Sequence, residues 1–395
     1  MPRYERDGEV WQIERIGKQL EIKSGGKSST RTFVGEEQAT GAMEKLVADH
    51  LAAGFAPLAR DQRHREIEAA IDADPELPAS YSVYADWLQA QGDPRGAVMA
   101  AAIAADGQPD ADKVFARALK KHVHDLLGPL APYATAQKGN PDVFGWRFGV
   151  IHRAYLHAQR QRPLDAVLEQ VLSHASGRFL VELSLSEKER IQEAIDVIAR
   201  RAPASLRALR LWAVGNPKLE KVWPAVPRLR RLALEGRAME LGNVVLPELE
   251  RLELVDSQMR AASGRVLARG QFPKLEQVRI DFGHGYMTGD ATIDDVFELL
   301  ARKDLPSLRN LALVHTRYPR ELVMELADSA MSRQIENLDL SYDELADANA
   351  QELHRRRANF PKLVTLDVTG NRLSERGLEL LREVAPTVRS LKQEP

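Results

Sequence analysis

The sequence predicts an α/β protein: a stack of repeats forming a parallel sheet with helices on its convex side, preceded by a small α+β domain and a helical module. Three observations carry this. A Leu-x-x-Leu-x-Leu pattern recurs eight times between Leu180 and Val368. Apolar and polar residues alternate over Glu9–Ile13 and Gln19–Lys23, as in half-buried strands. A helical stretch between them is punctuated by Pro75, Gly92 and Pro94. The chain has 395 residues, enough for two or three domains with real cores.

Composition excludes several function classes. Lys and Arg total 55 against 57 Asp and Glu, a formal net charge of −2, so no chain-wide basic field for nucleic acid exists. There is no cysteine, which rules out disulfides, thiolate metal sites and a cysteine nucleophile. Met1–Arg15 is polar and has no apolar targeting core, and Ala97–Ala105 is far too short to span a bilayer. A soluble, cytoplasmic protein without membrane contact is expected.

Residues 1–58 open with strands over Glu9–Ile13 and Gln19–Lys23, turns at Gly17-Lys18 and Ser24–Lys27, and a third strand over Thr30–Val34. A helix follows over Glu36–Leu51, with Ala39, Met43, Leu46, Val47 and Leu51 on one face and Gly54 as its stop. Through Trp11-Gln12-Ile13, Thr32-Phe33 and Glu36–Ala39 this segment resembles a WGR domain. The resemblance implies a small sheet-and-helix fold and, in some members, contact with DNA ends. The name-giving Trp-Gly-Arg should fall near Lys23–Gly26 and is missing, so the resemblance is to a degenerate member and the DNA role is not carried over.

Residues 60–105 read as a helical pair, with Pro75 ending the first helix and Gly92-Asp93-Pro94 the second. Tyr84, Trp87 and Leu88 share a face. With Ile67–Pro75, Tyr84–Leu88 and Gln91–Gly96 the segment resembles the repeat-companion domain of bacterial proteins, which often precedes leucine-rich repeats. Asp86 and Asp93 are read as capping residues rather than catalytic acids. Residues 106–148 are expected to be a helical junction, helical over Val114–Leu127 with a loop at Gly139–Asp142. Phe144, Trp146 and Phe148 are expected to help cap the next domain.

The repeats then fill residues 149–395. Their first leucines are Leu180, Leu206, Leu229, Leu249, Leu275, Leu308, Ile335 and Leu363, with steps of 26, 23, 20, 26, 33, 27 and 28 residues. A degenerate earlier copy reads Ile151, Ala154, Leu156. One such unit cannot bury its leucines alone, so neighbours must stack. The array is identified as a leucine-rich repeat solenoid. Asn371 matches the family's asparagine, whose side chain bonds backbone in the turn, while Val214, Arg237, Ser257, Gly283, Thr316 and Asp343 replace it in other copies. A helix is expected within Leu373–Val384. The 33-residue step predicts a protruding loop at Gly283–Gly289.

No constellation supports catalysis. Gly25-Gly26-Lys27-Ser28 lacks the glycine that a phosphate loop needs at Glu21, and a strand rather than a helix follows. His122 and His124 are two apart on a helix and point to different sides. Asp294-Asp295 and Asp72/Asp74 lack a partner base. No enzyme activity, metal or cofactor is expected.

What remains is a surface. Between the leucines, residues face the concave side. Arg210, Arg231, Arg251 and Arg279 should gather there as one basic patch beside Trp212, with Asp339 and Asp367 toward the C-terminal end. The bland reading is a solvated face with local ion pairs. The sharper one is protein–protein interaction: a scaffold whose concave face holds a protein partner, an acidic stretch of that partner being the expected match to the arginines. The alternative is nucleic-acid binding through the WGR-like domain.

Overall fold

Strand-forming residues bury their inward leucines and leave their outward neighbours to solvent, and this alternation organises most of the molecule. The computed structural model describes residues 3–6, 9–24, 27–58, 63–110, 113–115, 117, 127–128, 130, 143–158, 163–188, 190–214, 216–256, 258, 261–283, 293–316 and 318–393. Most of the expected Val114–Leu127 helix, the loop at 139–142, the turn at 25–26, His122, His124, Ser257 and residues 284–289 of the expected loop lie outside these.

The N-terminal segment is a five-stranded antiparallel sheet rather than three strands. β1 (Arg3–Arg6), β2 (Glu9–Ile16), β3 (Gln19–Ser24), β4 (Lys27–Thr32) and β5 (Ala56–Leu58) run in the order β4-β3-β2-β1-β5. The third expected strand begins three residues early, because its antiparallel pairing with β3 runs on to Ser24 opposite Lys27. α1 (Glu36–Ala52) lays Ala39, Met43, Leu46 and Val47 on Trp11, Ile13 and Leu20. Leu51 is 44% exposed and does not join that core.

Three helices follow, not two: α2 (Arg65–Ala73), α3 (Pro78–Ala90) and α4 (Pro94–Ala105). Gly92-Asp93-Pro94 is a hinge between two helices. Gly92 takes φ +70°, Asp93 caps α4 by accepting from the Arg95 N–H at 2.9 Å, and Pro94 sits at the first helical position. Gly96 is required by proximity, since a Cβ there would stand 2.5 Å from the Ala85 carbonyl oxygen.

The second sheet has eleven strands and is mostly parallel. In chain order these are β6 (Val143–Arg147), β7 (Val150–His157), β8 (Glu182–Glu187), β9 (Ala208–Ala213), β10 (Arg231–Gly236) and β11 (Arg251–Asp256). β12 (Gln277–Asp281), β13 (Asn310–Val314), β14 (Asn337–Asp339), β15 (Thr365–Asp367) and β16 (Thr387–Arg389) complete it. β6 pairs antiparallel with β7, so the expected helical junction over 106–148 ends in a strand and the sheet begins at residue 143. Tertiary pairing decided this: Phe144 buries on the core while Gly145 lets Arg153 lie across it. β16 carries no Leu-x-x-Leu-x-Leu signal and is set by pairing with β15.

The leucines stand in register. Leu209, Leu232, Leu252, Val278, Leu311, Leu338 and Leu366 are aligned across neighbouring strands and buried. Helices return the chain over them: α5 (Leu164–Ser173), α6 (Ile191–Arg201), α7 (Ala261–Arg269), α8 (Ile293–Leu300), α9 (Pro319–Asp328), α10 (Asp347–Arg355) and α11 (Glu375–Arg382). The 20-residue step between β10 and β11 has no helix, being too short for one. Ile151, Ala154 and Leu156 on β7 join this core as the degenerate first copy predicts, and α11 falls where a helix is expected.

The helical module packs on the first strands. Tyr81, Tyr84, Leu88 and Met99 form one core with Phe148, Val150 and Phe179. Polar ties join it: Glu68 with Arg178 at 3.0 Å, Glu76 with His152 at 3.0 Å, and the Arg207 and Arg228 guanidiniums donating to the Asp72 carbonyl at 2.5 and 2.8 Å.

Candidate functional site: the open face of the long sheet

The residues between the inward leucines form three rows on the uncovered face. One row runs Glu182, Ala208, Arg231, Arg251, Gln277, Asn310. The middle row runs Ser184, Arg210, Ala233, Glu253, Arg279, Ala312, Asp339, Asp367. The third holds Trp212, Glu235, Val255, Asp281 and Val314. Arg231 and Arg251 are direct register partners, as adjacency of the repeats predicts.

The charges do not add up to a basic patch. Arg210 pairs with Glu253 at 3.5 Å, two strands away. Arg231 pairs with Glu182, which also takes Arg153 at 3.1 Å. Arg279 bridges Asp339 at 2.9 Å and Asp281 at 3.1 Å. Parallel strands stand about 4.8 Å apart, so a long guanidinium reaches an acid one or two strands along. Arg251 and, on the edge strand β16, Arg389 are the exceptions: both are exposed, and neither side chain has an ion-pair or hydrogen-bond partner among the described residues. Trp212 is half-buried two strands away.

The two aspartates have local work. Asp339 accepts from the Ser341 N–H and Asp367 from the Thr369 N–H, each at 2.9 Å. Asp281 accepts from the Gly283 N–H at 2.8 Å. Each closes the turn that ends its strand. Asp281 also holds His315 Nδ1 at 2.8 Å, and the His315 ring stacks on Tyr342 at 5.2 Å. The His315 and Tyr342 backbones are left-handed, with φ +59° and +60°. Asp281 is held below the usual carboxylate range: the hydrogen bonds and the neighbouring His315 and Arg279 outweigh its burial.

Beneath this face runs a buried polar column. Asn371 accepts from the Asp343 and Leu345 N–H groups at 3.0 and 2.9 Å and donates to the Leu340 and Val368 carbonyls at 2.9 and 2.8 Å. One repeat earlier, Asp343 accepts from the Thr316 N–H at 2.6 Å, and its Oδ2 is buried without a hydrogen-bond partner among the described residues. Burial raises its carboxyl to about 8. Sequence reasoning missed Asp256, which is fully buried and accepts from the Ala238, Met239 and Gln258 N–H groups. An acid at the last position of an apolar strand is the signal that could have found it. Among the described residues no group of three or more His, Asp or Glu could hold a metal ion, and no helix is long and apolar enough to cross a membrane.

No family model matches the chain, and no curated protein matches it. A crystallised protein from Bacteroides fragilis has a similar fold, with a TM-score of 0.55 at 15% identity over 100% of this chain and 97% of that one. At that identity the likeness concerns the fold alone.

Proposed function

We propose that the chain is a non-catalytic, cytoplasmic interaction protein that holds a protein partner against the concave face of a leucine-rich repeat array over residues 149–395. A degenerate WGR-like module over 1–58, a repeat-companion module over 60–105 and a junction over 106–148 precede it. The repeat reading rests on the aligned leucines and on Asn371 bonding backbone in the turn. The observation that carries the function is Arg251. It is an exposed cation whose side chain has no counter-ion among the described residues, in the middle of the sheet, whereas Arg389, the other such arginine on this face, lies on the edge strand β16. An acidic side chain of a partner would complete it, with Trp212 contributing apolar area. The site residues are Arg210, Trp212, Arg231, Arg251, Arg279, Asp339 and Asp367. Of these, Arg279, Asp339 and Asp367 chiefly shape the face.

Photo-crosslinkers placed at Gln277, the exposed register partner of Arg251, and at Arg269 on α7, away from the open face, test this. Trapping of one cytoplasmic protein from position 277 only, abolished when R231E/R251E is added, supports the reading. Equal trapping from both positions overturns it.

One observation favours nucleic acid instead: β4 is exposed along its whole length and carries Lys27 and Arg31. Without the Trp-Gly-Arg loop, residues 1–58 should bind nicked duplex weakly and lose binding with added salt. Nanomolar binding at physiological salt would establish the alternative.

A further inference from the structure

The N-terminal antiparallel sheet ends in two edges, β4 and β5. Pro57 blunts β5, since a proline has no N–H to offer a further strand. β4 holds no proline and pairs with β3 without a bulge from Lys27 to Thr32. All six of its residues are exposed. One position beyond this register, the Phe33 N–H donates to the Lys18 carbonyl at 2.9 Å. Bonding alternates along an antiparallel pair. Lys27, Ser29 and Arg31 therefore turn their backbone groups to β3, and Ser28, Thr30 and Thr32 turn theirs outward. Alternating N–H and carbonyl groups on an open edge match another extended polypeptide. Phosphates only accept, so a nucleic acid backbone would leave those carbonyls unmatched.

The side chains define which polypeptide fits. Residues opposite one another in the register share a face. Lys27, Ser29 and Arg31 thus lie on the face of Ser24, Ile22 and Leu20, the one that α1 covers. Neither the Lys27 nor the Arg31 side chain has an ion-pair or hydrogen-bond partner among the described residues. The nearby charges on this face are engaged: Arg15 pairs with Glu36 at 3.4 Å, and Glu9 meets Ser24 at 3.3 Å and Arg6 at 3.9 Å. Glu14, Glu21 and Lys23 stand on the opposite face, in register with Thr30 and Ser28. A second copy of β4 would bring two more cations to this edge, and like charges across a strand pair destabilise it.

We propose that β4 takes up, as a sixth strand, an extended segment of a partner protein whose acidic residues, four apart, stand opposite Lys27 and Arg31. Such cross-strand pairs would fix the register of the added strand. Val34, just beyond β4 and 84% exposed, offers the partner apolar surface. This edge is a site separate from the open face of the long sheet and does not depend on Arg251.

Fluorescence anisotropy on the full chain tests this. The probe is a labelled, capped peptide of alternating threonine and valine that carries two glutamates four residues apart. One peptide per chain is expected, with the lysine analogue about tenfold weaker or more. R31E should reverse that preference, and R251E should leave binding unchanged. Thr30→Pro removes an outward N–H without touching the β3 pairing, and should abolish binding. A strand pairs through one edge, so N-methyl groups on alternate peptide residues should block binding in one phase and not in the other. No saturable binding up to about 1 mM peptide overturns the proposal. So do binding retained in T30P or equal effects of the two N-methyl phases, which would mean attraction by charge alone, as for nucleic acid. Loss of binding in R251E would place the peptide on the long sheet instead. A dimer of the free chain that T30P dissolves would make a second copy the occupant.

Discussion

Asp343 shows how one atom separates two repeats. Asn371 can donate from its amide while accepting with its oxygen. A charged Asp343 can only accept, so its Oδ2 stays unmatched in the core. Asp343→Asn should therefore stabilise the protein at pH 8 by on the order of 2 kcal/mol. The sign of the pH effect follows from a folded pKa of about 8 against an ordinary 3.8. The folded state holds a proton that the unfolded state has released. Stability from this group is complete below pH 3.8 and is lost as pH rises toward 8. His174 acts oppositely. Its pKa is lowered from 6.5 to about 4, so folding loses stability as pH falls from 6.5 to 4. Burial, together with Arg147 and Arg153, lowers His152 to about 4 as well, giving a second acid-side loss. Urea midpoints across pH 4–8.5 should peak near pH 6.5, and the alkaline limb should flatten in D343N. A limb that persists in D343N would show that another group titrates there.

At the scale of elements, the attachment of the helical module to the sheet is the point to probe. Glu68 sits on α2 with its side chain 4% exposed, paired to Arg178 at 12%. Arg178 also donates to the Tyr84 hydroxyl at 3.0 Å, and burial lowers its pKa to about 10. Glu68→Ala leaves a buried guanidinium without its counter-ion and should cost about 3–5 kcal/mol. Hydrogen exchange should show α2 and α3 losing protection first while β13–β15 keep theirs. Uniform loss across the chain would mean the module and the sheet unfold as one unit. Gly96→Ala probes the α3–α4 crossing: its new Cβ meets backbone at 2.5 and 2.7 Å, which only helix separation relieves. A melting temperature unchanged in G96A would contradict that close packing.

For the whole molecule, the balance of charge on the open face matters more than any single pair. Reversing Arg231 frees Glu182 to pair with Arg153 alone, while reversing Arg251 breaks no existing contact. R251E should therefore leave stability within about 0.5 kcal/mol of the parent, as for an ordinary surface change. Its partner association should slow and lose salt dependence. If association is unaltered in R251E and in R231E/R251E alike, the partner docks elsewhere.

The period of the leucines alone determined that the chain stacks strands, where β7 to β15 lie and which of their residues are buried, because burial of a repeated apolar pair has one geometric solution. Pro75, Gly92, Pro94 and Gly54 likewise marked helix ends through backbone sterics that depend on no distant residue. The face lined by Arg210, Arg231, Arg251 and Arg279 was legible as a face, since strand alternation is local. Its electrostatics were not, because a guanidinium chooses an acid one or two strands away, and those acids lie 29 to 60 residues off in sequence. β6 and β16 were hidden for the same reason, being strands only because an edge was there to pair with. Arg63 comes to line one cleft with Arg178 and Arg200 because the helical module packs on the first strands of the long sheet. No spacing in the sequence records that contact, and only the tertiary structure decided it.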